Sequence, residues 1–199
     1  MKSFILLSLS FLFTSYSFGQ LDRGTFLLGG NGSFYNYNGE YISTGNTYKT
    51  KTSEIKINSS IGYFPIDKFA VGIRPSYYFR KGKTYINNTR VGDFGSNTQF
   101  LIGPFARYYF LDKEKQINIL ADVYYLFGSN SSPLPPETSG QNNEFSISTG
   151  IEAFFNSTVG IELLLGYKIK NENIKGTTGY TDKKKGFNIG IGFQIHLQN

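Results

Sequence analysis

Apolar and polar residues alternate one by one over long stretches of this chain. In residues 54–63, Ile55, Ile57, Ile61 and Tyr63 stand against Glu54, Lys56, Asn58 and Ser60. In residues 69–80, Phe69, Val71, Ile73, Tyr77 and Phe79 stand against Ala70, Gly72, Arg74, Ser76 and Arg80. A period of two puts the two sets on opposite faces of a sheet. The same alternation runs through residues 97–110, 117–127, 144–155, 159–170 and 187–197. Residues 24–37 predict a further strand at the start, with Phe26, Leu28 and Phe34 on one face.

The stretches between these strands alternate in length. Turns at residues 65–68, 111–115 and 156–158 are short. Residues 39–50, 81–96, 128–143 and 171–184 are long and polar, and read as loops. Most strands reach the roughly 9 to 11 residues that a tilted strand needs to cross a bilayer. Eight strands with short turns on one rim and long loops on the other predict an all-β fold. It is an eight-stranded antiparallel up-and-down transmembrane β-barrel, with both termini at the short-turn rim. Pro75 and Pro104 interrupt neighbouring strands and cannot donate ladder bonds. They mark either a weak seam open to a hydrophobic ligand, or a bulge or positions where the ladder needs no N–H.

Alternation leaves open which face is outside, because a soluble lipocalin-like barrel has the same period with the opposite sense. Three features favour lipid on the apolar side. Connections alternate long and short; aromatics such as Tyr63, Tyr108 and Phe155, or Tyr77 and Tyr167, gather near the two strand ends; and the polar set is rich in glycine, serine and charges of both signs.

Composition adds limits. The 199 residues fit one domain, and 34 of them are Tyr or Phe (15 and 19). Cysteine is absent, which excludes disulfides and thiol chemistry, and the single histidine, His196, is too little for a histidine-rich metal site. Residues 1–19 read as a signal peptide. Lys2 precedes an apolar run at residues 4–13, and Ser17-Phe18-Gly19 leads to a cut before Gln20, leaving a barrel domain over residues 20–199. The alternative for that run is a short buried strand.

Gly62-Tyr63-Phe64 with Asp67 and Ala70-Val71-Gly72, then Pro104-Phe105 with Arg107-Tyr108-Tyr109-Phe110, resemble a known pattern. It is that of the small outer-membrane β-barrel domain proteins of Gram-negative bacteria, the OmpX- and OmpW-like eight-stranded barrels. The resemblance implies a cell outer-membrane location, contact with membrane lipid and lipopolysaccharide, and insertion by the barrel-insertion machinery. Such barrels commonly end on an aromatic residue, where this sequence has Leu197-Gln198-Asn199. The resemblance implies little about activity, since these barrels serve as adhesins, conduits and enzymes.

An eight-stranded barrel is just wide enough for its side chains to fill. The inward set therefore reads as a packed polar core. The turn at residues 156–158 sets Glu152 opposite Glu162, and two inward carboxylates need a cation. Arg74 and Arg107 are the cations available. A structural network of Arg74, Arg107, Asp122, Glu152 and Glu162 follows, with a gated polar path or an acid pair as the alternatives.

His196 reads as a hydrogen-bonding residue of the short-turn rim, and no G-x-S-x-G elbow, metal-ligand cluster, phosphate loop or nucleic-acid module accompanies it. No catalytic residue, cofactor or metal is assigned. The long polar stretches carry Lys49, Lys51, Lys81, Lys83, Arg90, Lys175, Lys183, Lys184 and Lys185 against Glu40, Asp93, Glu137, Glu172 and Asp182, an excess of four positive charges. Lys81, Lys83, Lys183, Lys184 and Lys185 are placed to face lipopolysaccharide, or simply water. The expected role is a non-enzymatic outer-membrane barrel in surface interaction or envelope integrity. A conduit for small or hydrophobic solutes and a secreted lipocalin-like binding barrel are the alternatives.

Overall fold

A computed structural model describes residues 20–43, 46–132, 138–175 and 180–198. The proposed signal peptide lies outside them. Ten strand segments form one antiparallel sheet: β1 (Phe26–Ser43), β2 (Asn46–Ile66), β3 (Phe69–Ile73), β4 (Ser76–Ile86), β5 (Thr89–Ile102), β6 (Pro104–Tyr109), β7 (Ile117–Ser132), β8 (Thr138–Phe154), β9 (Val159–Lys175) and β10 (Tyr180–Leu197). The sheet runs in chain order and closes, since β1 pairs with both β2 and β10. β3 and β4 are one stave interrupted at Arg74-Pro75, and β5 and β6 are one stave interrupted at Gly103. The ten segments therefore make the eight-stranded up-and-down barrel that alternation predicts.

The two interruptions face each other, with Ile73 paired to Pro104 and Ser76 to Leu101. Register continues through them, so there is no bulge at this point. Arg74 N–H donates to Gly103 O at 2.8 Å, and Ser59 N–H donates to Pro75 O at 2.9 Å. The seam is thus bridged, and it offers no side opening. A Cβ at Gly103 would lie 1.9 Å from Tyr125 O, so this close approach requires glycine.

The four stretches read as loops are corrected by the structure. β1 and β2 continue as a hairpin to Ser43 and Asn46, and β4 and β5 run to Ile86 and Thr89. β7 and β8 reach Ser132 and Thr138, and β9 and β10 reach Lys175 and Tyr180. These extensions have no apolar face to mark them, so alternation of hydrophobicity was silent where alternation of the backbone continued. At Asn87-Asn88 both residues have positive φ, 48° and 67°, which closes the β4–β5 hairpin with the twist that paired strands favour. Lys81, Lys83, Lys183, Lys184 and Lys185 therefore stand on strand extensions rather than in loops, all five exposed.

The burial pattern is that of a water-soluble sheet turned inside out. Ile57, Ile61, Ile73, Phe100, Ile119, Phe127, Ile147 and Leu165 all point outward and are exposed. Arg107, Asp122, Glu152, Glu162 and His196 point inward and are buried. Phe26, Leu28 and Phe34 share the outer face, as the reading of the first strand had them. Aromatic pairs occupy both ends of the apolar band: Phe26 with Tyr63 and Tyr108 with Phe110 near the short turns, Tyr167 with Phe187 toward the extensions.

The short-turn rim carries its own ion pairs. Lys113 bridges Asp22 and Asp67, and Arg23 N–H donates to Asp67 Oδ1 at 2.8 Å. That N–H, together with the Lys113 ammonium, holds the Asp67 carboxyl below the usual carboxylate range. The favoured form is the charged one, so the stabilisation is present above the unfolded pKa of about 3.9 and fades as pH falls through the lower folded value. Unfolding temperatures of the wild type and Asp67→Asn should differ by a constant amount at neutral pH and converge below about pH 4. A gap that persists undiminished in acid would assign the effect to something other than this carboxylate.

Candidate functional site

Inward residues stack in layers from the short-turn rim upward. The first layer is apolar: Leu21, Leu27, Phe64, Ala70, Phe105, Leu120 and Phe154 fill the lower barrel, with Tyr109 among them. His196 sits in this layer, with ring centroids of Phe64, Phe154 and Tyr109 at 5.9, 5.3 and 6.3 Å. One residue of every inward pair in a narrow barrel must be either small or matched to its neighbour. Gly62 is such a small position, where a Cβ would lie 2.8 Å from the Phe105 ring, and Gly160 makes room for the Glu152 side chain.

Above the aromatic layer lies the charge network. Glu152 and Glu162 are direct partners across β8 and β9. Arg107 from β6 reaches across the barrel axis. Its Nη1 lies 2.8 Å from Glu162 Oε2 and 3.8 Å from Glu152 Oε2, and its Nε donates to Asp122 Oδ2 at 3.1 Å. Arg74, on the stave next but one to that of Asp122, donates to it through Nη1 at 2.7 Å and Nη2 at 2.9 Å. The Arg74 guanidinium lies over the rings of Phe105 and Tyr124, both 4.7 Å away, while its Nε donates to Ser60 Oγ at 3.0 Å. The structure thus brings Arg74, Arg107, Asp122, Glu152 and Glu162 into one cluster. Arg107 is 1% exposed and Glu152 0%, so each depends on its partners to remain charged.

Two members of the cluster are not evident from the pattern of charges alone. Tyr109 O–H donates to Glu152 Oε2 at 2.6 Å. His196 places Nε2 2.8 Å from Glu152 Oε1 and Nδ1 2.8 Å from Gln20 O. Both ring nitrogens are thus engaged by oxygen atoms. Two guanidinium groups face three carboxylates, with Tyr109 O–H and a ring nitrogen of His196 on Glu152. His196 is a hydrogen-bonder, but one inside the barrel rather than on its edge. The inward parity of residue 196, shared with Gln194, was the available signal.

A third layer stands nearer the extensions. Glu144 is buried and receives Tyr124 O–H at 2.7 Å, with Lys168 Nζ at 3.0 Å and Lys56 Nζ at 3.6 Å. Two ammonium groups share this one carboxylate. Lys170 has its own partner in Glu172. Between the second and third layers the barrel is hollow. A cavity of about 450 Å³ is lined by Arg74, Asp122, Tyr124 and Glu162 below and by Lys56 and Lys168 at the side. The barrel interior is therefore solid toward the short turns and open above. Among the described residues, no group of His, Asp or Glu is arranged to hold a metal ion, and His196 does not line the cavity.

No protein-family model matches the sequence, and no curated protein is significantly similar to it. Solved structures do share its shape. The outer membrane protein OprG from Pseudomonas aeruginosa is 11% identical, with a TM-score of 0.51 over 89% of this chain and 98% of that one. The N-terminal β-barrel domain of Pseudomonas aeruginosa OprF is 11% identical, with a TM-score of 0.44 over 88% and 98%. Neisserial surface protein A is 14% identical, with a TM-score of 0.49 over 87% and 97%. At such identities the likeness is one of fold, and OprG carries it: this chain has the fold of a small eight-stranded outer-membrane barrel.

Proposed function

We propose that the chain resides in the outer membrane as a non-conducting, non-enzymatic barrel that acts at its outer rim. The outward apolar band supports the location: buried polar groups with exposed isoleucine and phenylalanine suit hydrocarbon and are unfavourable in water. Strand length supports the outer rim as the working part. β2 has 21 residues and β10 has 18, well beyond the roughly 11 that a bilayer needs, so the hairpins project past the membrane. Lys81, Lys83, Lys183 and Lys185 are exposed there, in reach of lipopolysaccharide phosphates. Lys184, also exposed, is partly engaged by Glu172 at 3.4 Å.

The observation that carries the reading is the solid lower half. The aromatic layer and the network of Arg107 with its carboxylates leave the cavity a dead end toward the short-turn rim. An aqueous path would have to displace a guanidinium that holds three carboxylates. His196, the one candidate general base, has both nitrogens engaged and is walled off by Phe64, Phe154 and Tyr109. Purified protein in planar bilayers should therefore give no steady conductance. Reproducible open channels from the wild-type protein would overturn the plug and favour the conduit.

A further inference from the structure

The wall of the barrel is not uniform above the plug. β1 and β10 pair over five positions, from Phe26 with Leu197 to Gly30 with Phe193. β10 nevertheless stays paired to β9 as far as Tyr180, and β1 to β2 as far as Ser43. Beyond Gly30 and Phe193 the described residues therefore present two facing strand edges with no ladder between them. These edges lie within the apolar band. Phe187, Ile189 and Ile191 are 91%, 73% and 68% exposed, more than any other large apolar side chains described. Unpaired backbone facing hydrocarbon is strongly unfavourable, so something polar must meet it there.

The residues at the gap leave it open. A Cβ at Gly190 would meet nothing within 4 Å, and one at Gly32 would meet only Lys56 O, at 3.9 Å. The interior cavity reaches this gap, since its lining includes Gly30 to Gly32 on one edge and Asn188 to Ile191 on the other. Asn188 Oδ1 is buried there without a hydrogen-bond partner. Charge within the cavity is uneven. Asp122 is taken by the two arginines and Glu162 by Arg107, whereas Lys56 and Lys168, on the strands flanking β1 and β10, share the single carboxylate of Glu144. On the outside, an apolar groove of about 660 Å³ lined by Ala121, Ile147, Leu165, Tyr167 and Phe187 runs over β7 to β10 and reaches Ile189, on the strand that borders the gap.

Two ammonium groups behind the gap and a greasy trough on the outer face of the strand that borders it match the two ends of an amphiphile. We propose that the gap between β1 and β10 admits the anionic head of a single-chain amphiphile, phosphate or carboxylate, with its alkyl chain in the outer groove. The inference deepens the reading of a membrane-embedded, plugged barrel and rests on it.

The test uses the full barrel in phosphatidylcholine nanodiscs, with equilibrium binding of radiolabelled lysophosphatidate, palmitate and, as a zwitterionic control, lysophosphatidylcholine. One lysophosphatidate or palmitate should be retained per barrel. Retention of the first alone identifies a phosphate head, of the second alone a carboxylate, and of both any anionic head. The pair Lys56→Gln with Lys168→Gln should weaken binding by about tenfold or more. Gly190→Phe, which fills the gap, should abolish it, with correct folding checked by the gel mobility shift on heating. Because the chain has no cysteine, Gly32→Cys with Ile191→Cys offers a second closure. These positions continue the β1–β10 register, and oxidation should abolish binding that reduction restores. Retention of neither anion, equal retention of the zwitterion, or binding indifferent to both closures would overturn the proposal. Conductance, measured separately, reports on the plug, so failure of binding in a non-conducting barrel counts against this inference alone.

Discussion

Arg107→Ala should cost the barrel more stability than any other single truncation of an inward side chain. Arg107 is buried, and its guanidinium is the group that touches Asp122, Glu152 and Glu162 together. Its removal leaves Glu152 and Glu162 facing each other across β8 and β9 with no cation between them. His196 still holds one oxygen of Glu152, and Arg74 still holds Asp122, so the damage concentrates on Glu162. Breaking one partner out of a buried pair costs about 3–5 kcal/mol. The measurement is urea unfolding in detergent or bilayer, followed by the heat-dependent gel shift. Arg107→Ala with Glu162→Gln should recover part of the loss, because the second change removes the charge the first one stranded. A variant as stable as the wild type would show that the network has no structural role.

The second large effect belongs to Asp122→Ala. This carboxylate receives Arg74 through two bonds and Arg107 through one, and it is 2% exposed. Without it, Arg74 keeps Ser60 and the two rings it lies over, but no anion. A loss of about 3–5 kcal/mol is again expected. Arg74→Met with Asp122→Ala should cost clearly less than the sum of the two single changes, since each single change strands a charge that the double change removes. Strict additivity of the two would show that they do not act as a pair. Arg74 has a further tie that Asp122→Ala leaves intact, its backbone bond to Gly103, so the interruption between β3 and β4 should survive.

How much of this was legible in the sequence differs by level. The outward set was readable residue by residue. Ile55, Ile57 and Ile61, or Ile189, Ile191 and Phe193, are exposed because a strand turns each side chain to the opposite face from its neighbour. The inward charges were readable as a set for the same reason, and the three-residue turn after Phe155 is enough to place Glu152 against Glu162. Their pairing was not readable. Beyond the register pair Arg107–Asp122, which guanidinium meets which carboxylate depends on how side chains from non-adjacent strands, such as Arg74 and Asp122, meet inside the closed ring. His196 illustrates the same gap: its parity points inward, but its bond to Glu152 exists only because β10 and β8 stand next but one around the ring. The strand extensions were unreadable for a different reason. In water both faces of a hairpin are polar, so the hydrophobic signal stops where the membrane stops, while the backbone ladder continues to Ile86 and Thr89.

Local chemistry alone determined an antiparallel sheet with one apolar and one polar face, its short turns, and its strand count, because these follow from the two-residue repeat of an extended chain. Tertiary structure alone decided that the lower half is solid and the upper half hollow, and that β1 and β10 part above Gly30 and Phe193. Closure is a property of the whole sheet. The shear with which β1 meets β10 is set by every register between them, and no single stretch of sequence contains it.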